Sequence, residues 1–516
     1  MNPLLDFSGL PRFDAFSPEH VTPAIDELLA ANRAVLEQLG APATQPTWSD
    51  FVAPLQDATE KLNRAWGLVG HLNAVMNSPE LREVYNANLP KVTQFYTELG
   101  QNQKLFEKFK QLSASPEMAR LSRAQHAIIE HELRDFRLGG AELPAPEKAR
   151  FTEIREKLSA LSSRFSDNLL DATNAFAHVV ESAGALTGIP GDVIQAAREA
   201  AQADGKTGWK FTLHAPSYLP VMQYADNREL RETMYRAYST RAAEFGKPEW
   251  DNTQLINDIV ALRGELARLL GFASYADYSL QPKMAESPQQ VLQFLGDLAA
   301  RAKPFAERDL AELKRFASDE LGLAALEAWD IAYASEKLRI ARYAFSDQEV
   351  KQYLPETTVL PGMFRLIETL YGLKITPDSA PKWHPDVRFF SIHDSDGKLI
   401  GQFYLDLYAR PSKRGGAWMD DAITRRRIAG GIQTPVAYLN CNFAAPVGEV
   451  DGRKRPALFT HDDVITLFHE FGHGLHHLLT RVEELGVSGI NGVEWDAVEL
   501  PSQFMENFCW ERDVLE

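Results

Sequence analysis

The sequence predicts a mainly α-helical protein with one small β-sheet placed beside a histidine-rich helix, and three observations lead there. The first 180 residues run as a series of amphipathic helical stretches. From about residue 385 the apolar period shortens to two. After Thr460 the apolar residues return to the spacing of one helix face.

The first helical stretch opens at Ser17-Pro18, a capping residue followed by proline at the first helical position, and runs to Gly40. Further stretches cover roughly 48–76, 80–112, 117–137 and 146–180. Breaks fall at Ser115-Pro116, Gly139-Gly140 and Gly184 to Gly191, which carries Pro190. The last break divides the chain into an N-terminal helical region, 1–190, and a second region, 191–516. Trp209 to Leu213 reads as strand before helices resume near Asn227. Ser287 is a cap with Gln290 placed to complete a capping box. Phe389 to His393 and Leu399 to Leu407 flank Asp394-Ser395-Asp396-Gly397, a hairpin turn, and Thr434 to Phe443 is a further strand.

Composition narrows the classes. With 516 residues, 45% hydrophobic and 24% charged, the chain has the make-up of a soluble globular protein large enough for two or three substructures. No stretch approaches the apolar length of a bilayer span, which excludes membrane insertion. The opening MNPLLDFSGLPRFDAF has neither a basic n-region nor an apolar h-region, so no cleaved signal is expected. Cys441 and Cys509 are too few for a disulfide framework and fit a reducing compartment. A formal net charge of −17 argues against nucleic acid, whose binding relies on Lys and Arg.

The segment after Thr460 carries the chemistry. Thr460 can cap it, Asp463 stands three residues on to close the box, and Phe459 can staple onto Val464. At about 100° per residue, Val464, Leu467, Phe468, Phe471, Leu475, Leu478 and Leu479 share one arc. His469 and His473 fall on the opposite arc, one turn apart, with Glu470 at its flank. Two imidazoles at that spacing can reach one Zn2+ ion, and Glu470 stands beside it as a general base would. The competing reading is a solvated histidine face, since five of thirteen histidines lie between His461 and His477. His476 and His477 belong to that polar face.

A catalytic zinc keeps three protein ligands and an open position. Gly486, Gly489 and Gly492 can turn the chain back towards Glu494, Glu499 and Glu506. Spacing favours none of these three over the others. Asp496, Gln503 and Glu506 share a face with Glu499 and are candidates to orient the ligands.

The strings HEFGHGLHHLL and WDAVELPSQFMENF, with WGLVGHLNAVMNSPELREVYN near Trp66 and FYLDLYARPSKRGGAW near Phe403, resemble the thimet-oligopeptidase-like zinc peptidases. The resemblance implies a two-lobed helical fold with a deep central channel that admits short peptides. It carries the metal role onto His469, His473 and Glu499, with one zinc per chain, and the catalytic role onto Glu470. It also implies a monomeric cytoplasmic endopeptidase acting on oligopeptides, including released signal peptides. Relatives continue well over a hundred residues past the VELPSQ segment, so the C-terminal part with the oxyanion-stabilising Tyr and His is expected beyond Glu516.

The strand Thr434 to Phe443 is expected to border the cleft and pair with an extended substrate, the alternative being an internal strand. The loop Arg410 to Gly416 reads as solvated, or by resemblance as channel lining. Two other activities fit the same residues: an exopeptidase releasing C-terminal dipeptides, and a truncated, non-catalytic peptide binder. A helical scaffold with an accidental motif predicts no stoichiometric zinc.

Overall fold

The computed structural model describes residues 2–450 and 452–515. Its N-terminal part is helical, with helices Val21–Gly40, Ala53–Val75, Pro79–Gly100, Gln103–Ser113, Arg123–Leu138 and Ala145–Ala175. Ser17 forms a capping box with His20 over one 3-10 turn, from which the first helix continues. The expected stretch 80–112 is two helices, because the Asn102 side chain accepts from the Leu105 N–H and starts a new one. The stretch expected to begin at 117 starts later, where Ser122 and Gln125 complete a box. The last stretch ends at Ala175, and His178–Val180 pairs antiparallel with Trp209–Phe211. At Ser287 the cap forms, but the Gln290 amide oxygen accepts from Glu286 N–H, one residue before the cap.

The long sheet has five strands. Their spatial order is Lys374–Pro377, Arg388–His393, Leu399–Tyr408, Val436–Phe443 and Trp418–Ile423. Lys374–Pro377 pairs antiparallel with Arg388–His393, which pairs antiparallel with Leu399–Tyr408 across the Asp394–Gly397 turn, where Gly397 adopts φ +79°. Leu399–Tyr408 and Val436–Phe443 are parallel, and Trp418–Ile423 closes the order antiparallel to Val436–Phe443.

Val436–Phe443 is therefore internal. Both of its edges are already paired, so it has no free donors and acceptors for a substrate strand, and the expectation that it binds the peptide is overturned. The two outer strands, each with one unpaired edge in the sheet, are Lys374–Pro377 and Trp418–Ile423, and of these Trp418–Ile423 is the neighbour of Val436–Phe443.

Both sheet faces are covered. Phe389, Tyr404, Ile423, Val436 and Tyr438 join a core with Phe51, Leu62 and Val69 of the N-terminal helices. Phe390, Phe403, Leu405, Ala437 and Leu439 join another with Phe468, Phe471 and Leu475 of the histidine-rich helix. Burial on both faces explains why these strands read as apolar runs as well as alternations.

In the loop after Leu399–Tyr408, Pro411, Arg414, Gly415 and Gly416 are exposed as expected, but Arg410 and Lys413 are tied inward. The Arg410 guanidinium pairs with both Asp406 carboxylate oxygens at 2.8 and 2.6 Å and donates to the Val75 carbonyl. Lys413 is fully buried and donates to Asp406 Oδ1 at 2.9 Å. Burial raises the Asp406 pKa, but the Arg410 and Lys413 contacts outweigh it and leave the carboxyl below its usual value. A charge taken from water needs such partners, and here they link sheet and N-terminal helices.

Among the described residues no helix is long and apolar enough to cross a membrane.

Candidate metal centre

The helix His461–Leu478 starts as its sequence dictates. Thr460 Oγ1 accepts from Asp463 N–H at 3.0 Å, and Asp463 Oδ2 accepts from Thr460 N–H at 2.9 Å. Phe459 and Val464 are both buried in the same core, as a staple requires. Six of the seven residues on the apolar arc are buried, and Leu479 packs partly exposed at the edge. His469 and His473 face away from that core.

After this helix the chain doubles back. Gly489 and Gly492 both adopt positive φ, at +65° and +71°. A Cβ on Gly489 would lie 2.7 Å from His477 Nδ1, so the return passes where only glycine fits. The chain then enters the short helix Leu500–Glu506, with proline in its first turn and Glu499 at its N-cap position.

Glu499 Oε2 lies 3.2 Å from His469 Nε2 and 3.1 Å from His473 Nε2. Ligand atoms of these three residues all fall within 4.8 Å of one another. Glu506 lies on the other side of the first ring, accepting from His469 Nδ1 at 2.6 Å. It cannot share an ion with the Nε2 atoms from there. Glu494 is outside the cluster, so of the three acidic candidates only Glu499 joins the histidines.

The donor set suits a cation. In the tautomer that donates Nδ1–H to Glu506, Nε2 is the nitrogen left to face a cation, and it lies beside a Glu499 carboxylate oxygen. Two imidazoles and one carboxylate match the donor types of a catalytic zinc site.

Glu470 is buried, and its Oε2 has no hydrogen-bond partner within the protein. Burial pushes its carboxyl up to about 7; His469 acts against this, while the charges of Glu499 and Asp420 add to it. A cation at the three ligands would act in the opposite direction.

Other residues resolve differently from expectation. Asp496 accepts from the backbone N–H groups of Met284 and Ala285, both at 2.9 Å, and so anchors the return segment to the connection that precedes the helix capped by Ser287. His477 is fully buried and bonds the Ile423 carbonyl through Nε2 at 3.0 Å, fixing the end of the edge strand to the motif helix. It is a structural tie, not a polar-face residue. Ser502 was not singled out by sequence; its hydroxyl donates to Glu499 Oε2 at 2.8 Å. Its one sequence signal is the i+3 spacing from Glu499 across a helix start.

The sequence matches the model of peptidase family M3 over residues 221–516 and that of the neurolysin/thimet oligopeptidase N-terminal domain over 25–148. It is 50% identical to oligopeptidase A of Haemophilus influenzae and 49% identical to that of Escherichia coli. Each alignment covers 100% of this chain and 75% of the relative. It is 32% identical, over the same shares, to the dipeptidyl carboxypeptidase of Salmonella typhimurium. A crystal structure attributed to an oligoendopeptidase F of Bacillus anthracis superposes with a TM-score of 0.51 at 16% identity, covering 94% of this chain and 70% of that one.

Proposed function

This chain belongs to peptidase family M3, and from that premise we propose a zinc-dependent endopeptidase in which His469, His473 and Glu499 hold the metal and Glu470 is the general base. That it is a metallo-oligopeptidase follows from the family and from oligopeptidase A relatives matched over the whole chain. The observation that carries the residue assignment is the convergence of two imidazoles and one carboxylate beside a buried, unpartnered Glu470 oxygen.

A zinc ion bound there would polarise the scissile carbonyl and acidify a coordinated water. Glu470 supplies the proton traffic. It accepts a proton from water as the oxygen–carbon bond forms, then delivers it to the amide nitrogen as the carbon–nitrogen bond breaks. His469, His473 and Glu499 hold their positions on two packed helices, so the reacting groups are oriented before substrate arrives.

The free edge of Trp418–Ile423 supports binding of the substrate as an added strand. This edge runs close enough to the site for the Asp420 charge to act on Glu470, and His477 fixes its end to the motif helix. Such backbone pairing selects extended, unstructured peptides, which fits a two-lobed channel and substrates such as released signal peptides. We retain the division into 1–190 and 191–516, which places the two family models on either side. A cytoplasmic monomer is the setting this reading implies.

The test compares zinc content and peptide cleavage in the parent chain and Glu470→Gln. Zinc retained at one per chain with cleavage reduced at least about a hundredfold is expected. Lost zinc or unchanged cleavage overturns the role. A peptide with a blocked C-terminus separates this reading from dipeptide release, favoured by the carboxypeptidase likeness: an endopeptidase still cuts it.

A further inference from the structure

We infer that Glu506 is a positioning residue that sets the tautomer and aim of His469, and that Ser502 does the same for Glu499. The inference rests on the ligand assignment above and deepens it. Glu499 and Glu506 stand at the two ends of one short helix, seven residues apart and so nearly on one face. The His469 ring sits between them. Glu499 Oε2 meets its Nε2 at 3.2 Å, and Glu506 Oε1 meets its Nδ1 at 2.6 Å. The Glu506 contact is short, as a charge-assisted bond is, and fixes the proton on Nδ1. Nε2 is then left as a lone pair pointed at the cluster, the form a metal requires.

Ser502 acts on the third ligand. Its side chain is fully buried, and its hydroxyl is within 2.9 Å of the Glu499 carbonyl and 2.8 Å of Glu499 Oε2. The oxygen it touches is the same one that faces both histidines. One seven-residue helix thus contributes the carboxylate ligand, the group that orients it, and the group that orients the first histidine.

The experiment uses the full chain with Glu506→Ala, Glu506→Gln, Ser502→Ala and His469→Ala. Zinc affinity is measured by competition with a chromophoric chelator, and the His469 tautomer by 15N chemical shifts of the zinc-free protein. Glu506→Ala is expected to weaken zinc binding by about ten- to a hundredfold. It should also shift His469 from the Nδ1–H form to a mixture of tautomers. Glu506→Gln keeps an acceptor but not the charge and should fall between parent and alanine variant. Ser502→Ala should lose about three- to tenfold.

If Glu506→Ala does not fold, the Gln variant carries the test, and parental affinity in it overturns the inference. Zinc affinity within twofold of the parent and an unchanged tautomer in Glu506→Ala overturn it as well. Parental zinc binding in His469→Ala would overturn the ligand assignment itself, and this inference with it. A purely structural role for Glu506 would lower the unfolding midpoint without moving the tautomer, and that outcome also counts against the inference.

Discussion

Gly472 lies inside the histidine motif, in the helix turn between His469 and His473, and its missing side chain decides how close the second helix can come. A Cβ there would meet the Pro501 carbonyl oxygen at 2.5 Å and Ser502 Cα at 2.6 Å, both backbone atoms that cannot step aside. Gly472→Ala is therefore expected to push the short helix outward and carry Glu499 and Glu506 off His469. A cost of about 1–3 kcal/mol in stability accompanies such overpacking. The more telling readout is zinc affinity, expected to fall at least about tenfold because ligand placement is lost along with packing. Parental zinc affinity in this variant would show that the approach of the two helices is not what positions the carboxylate. Sequence spacing identifies the histidines but leaves this glycine unremarked, since its meaning depends on a segment thirty residues away.

At the scale of the element, the motif helix is over-determined. A reciprocal cap, a hydrophobic staple and an apolar face all specify the same start and the same orientation. Each large apolar side chain buried on that face contributes roughly 1.5–3 kcal/mol, whereas an N-cap contributes about 1 kcal/mol. Thr460→Ala should consequently lower stability by about 0.5–2 kcal/mol without dissolving the helix. Denaturant unfolding should show a shifted midpoint at unchanged slope, with zinc stoichiometry still one. A loss of zinc would mean the first turn communicates with the ligands nine residues on, contrary to the dominance of the apolar face. The same local signals made this helix, the hairpin turn at Gly397 and the Ser287 cap legible from sequence. The false continuity of 80–112 arose because Asn102 is an unobtrusive cap within an unbroken amphipathic pattern.

For the whole molecule, the sheet is the shared wall between the N-terminal helices and the motif helix, and His71 marks the join. Its ring is buried, stacks on Tyr438 with centroids 3.8 Å apart, and has no hydrogen-bond partner at either nitrogen within the protein. Burial lowers its pKa from 6.5 to about 3, with the nearby Asp406 charge opposing the shift. Below pH 6.5 the unfolded chain takes up a proton that the folded chain refuses, so this group removes stability as pH falls from 6.5 towards 3. The slope from one such group is at most about 1.4 kcal/mol per pH unit. His71→Phe keeps a ring on Tyr438 and abolishes the titration. Its unfolding free energy between pH 6 and pH 4 should fall less steeply than the parent's, by close to one proton. Equal slopes in the two proteins would mean that His71 is reached by solvent or protonated in the fold.

The sequence by itself determined the helical class, the motif helix with its caps and faces, and the pair of histidines. All of these rest on interactions within a few residues, where periodicity and side-chain type are sufficient. Only the tertiary structure decided that Val436–Phe443 is internal and Trp418–Ile423 an edge strand. It also turned Arg410 and Lys413 inward onto Asp406, and set Glu499 and Glu506 on opposite sides of one imidazole. Those outcomes depend on how distant segments lie against one another. Glu499 and Glu506 are both acidic residues on the same helical face, and nothing in their spacing distinguishes a ligand from the residue that aims one.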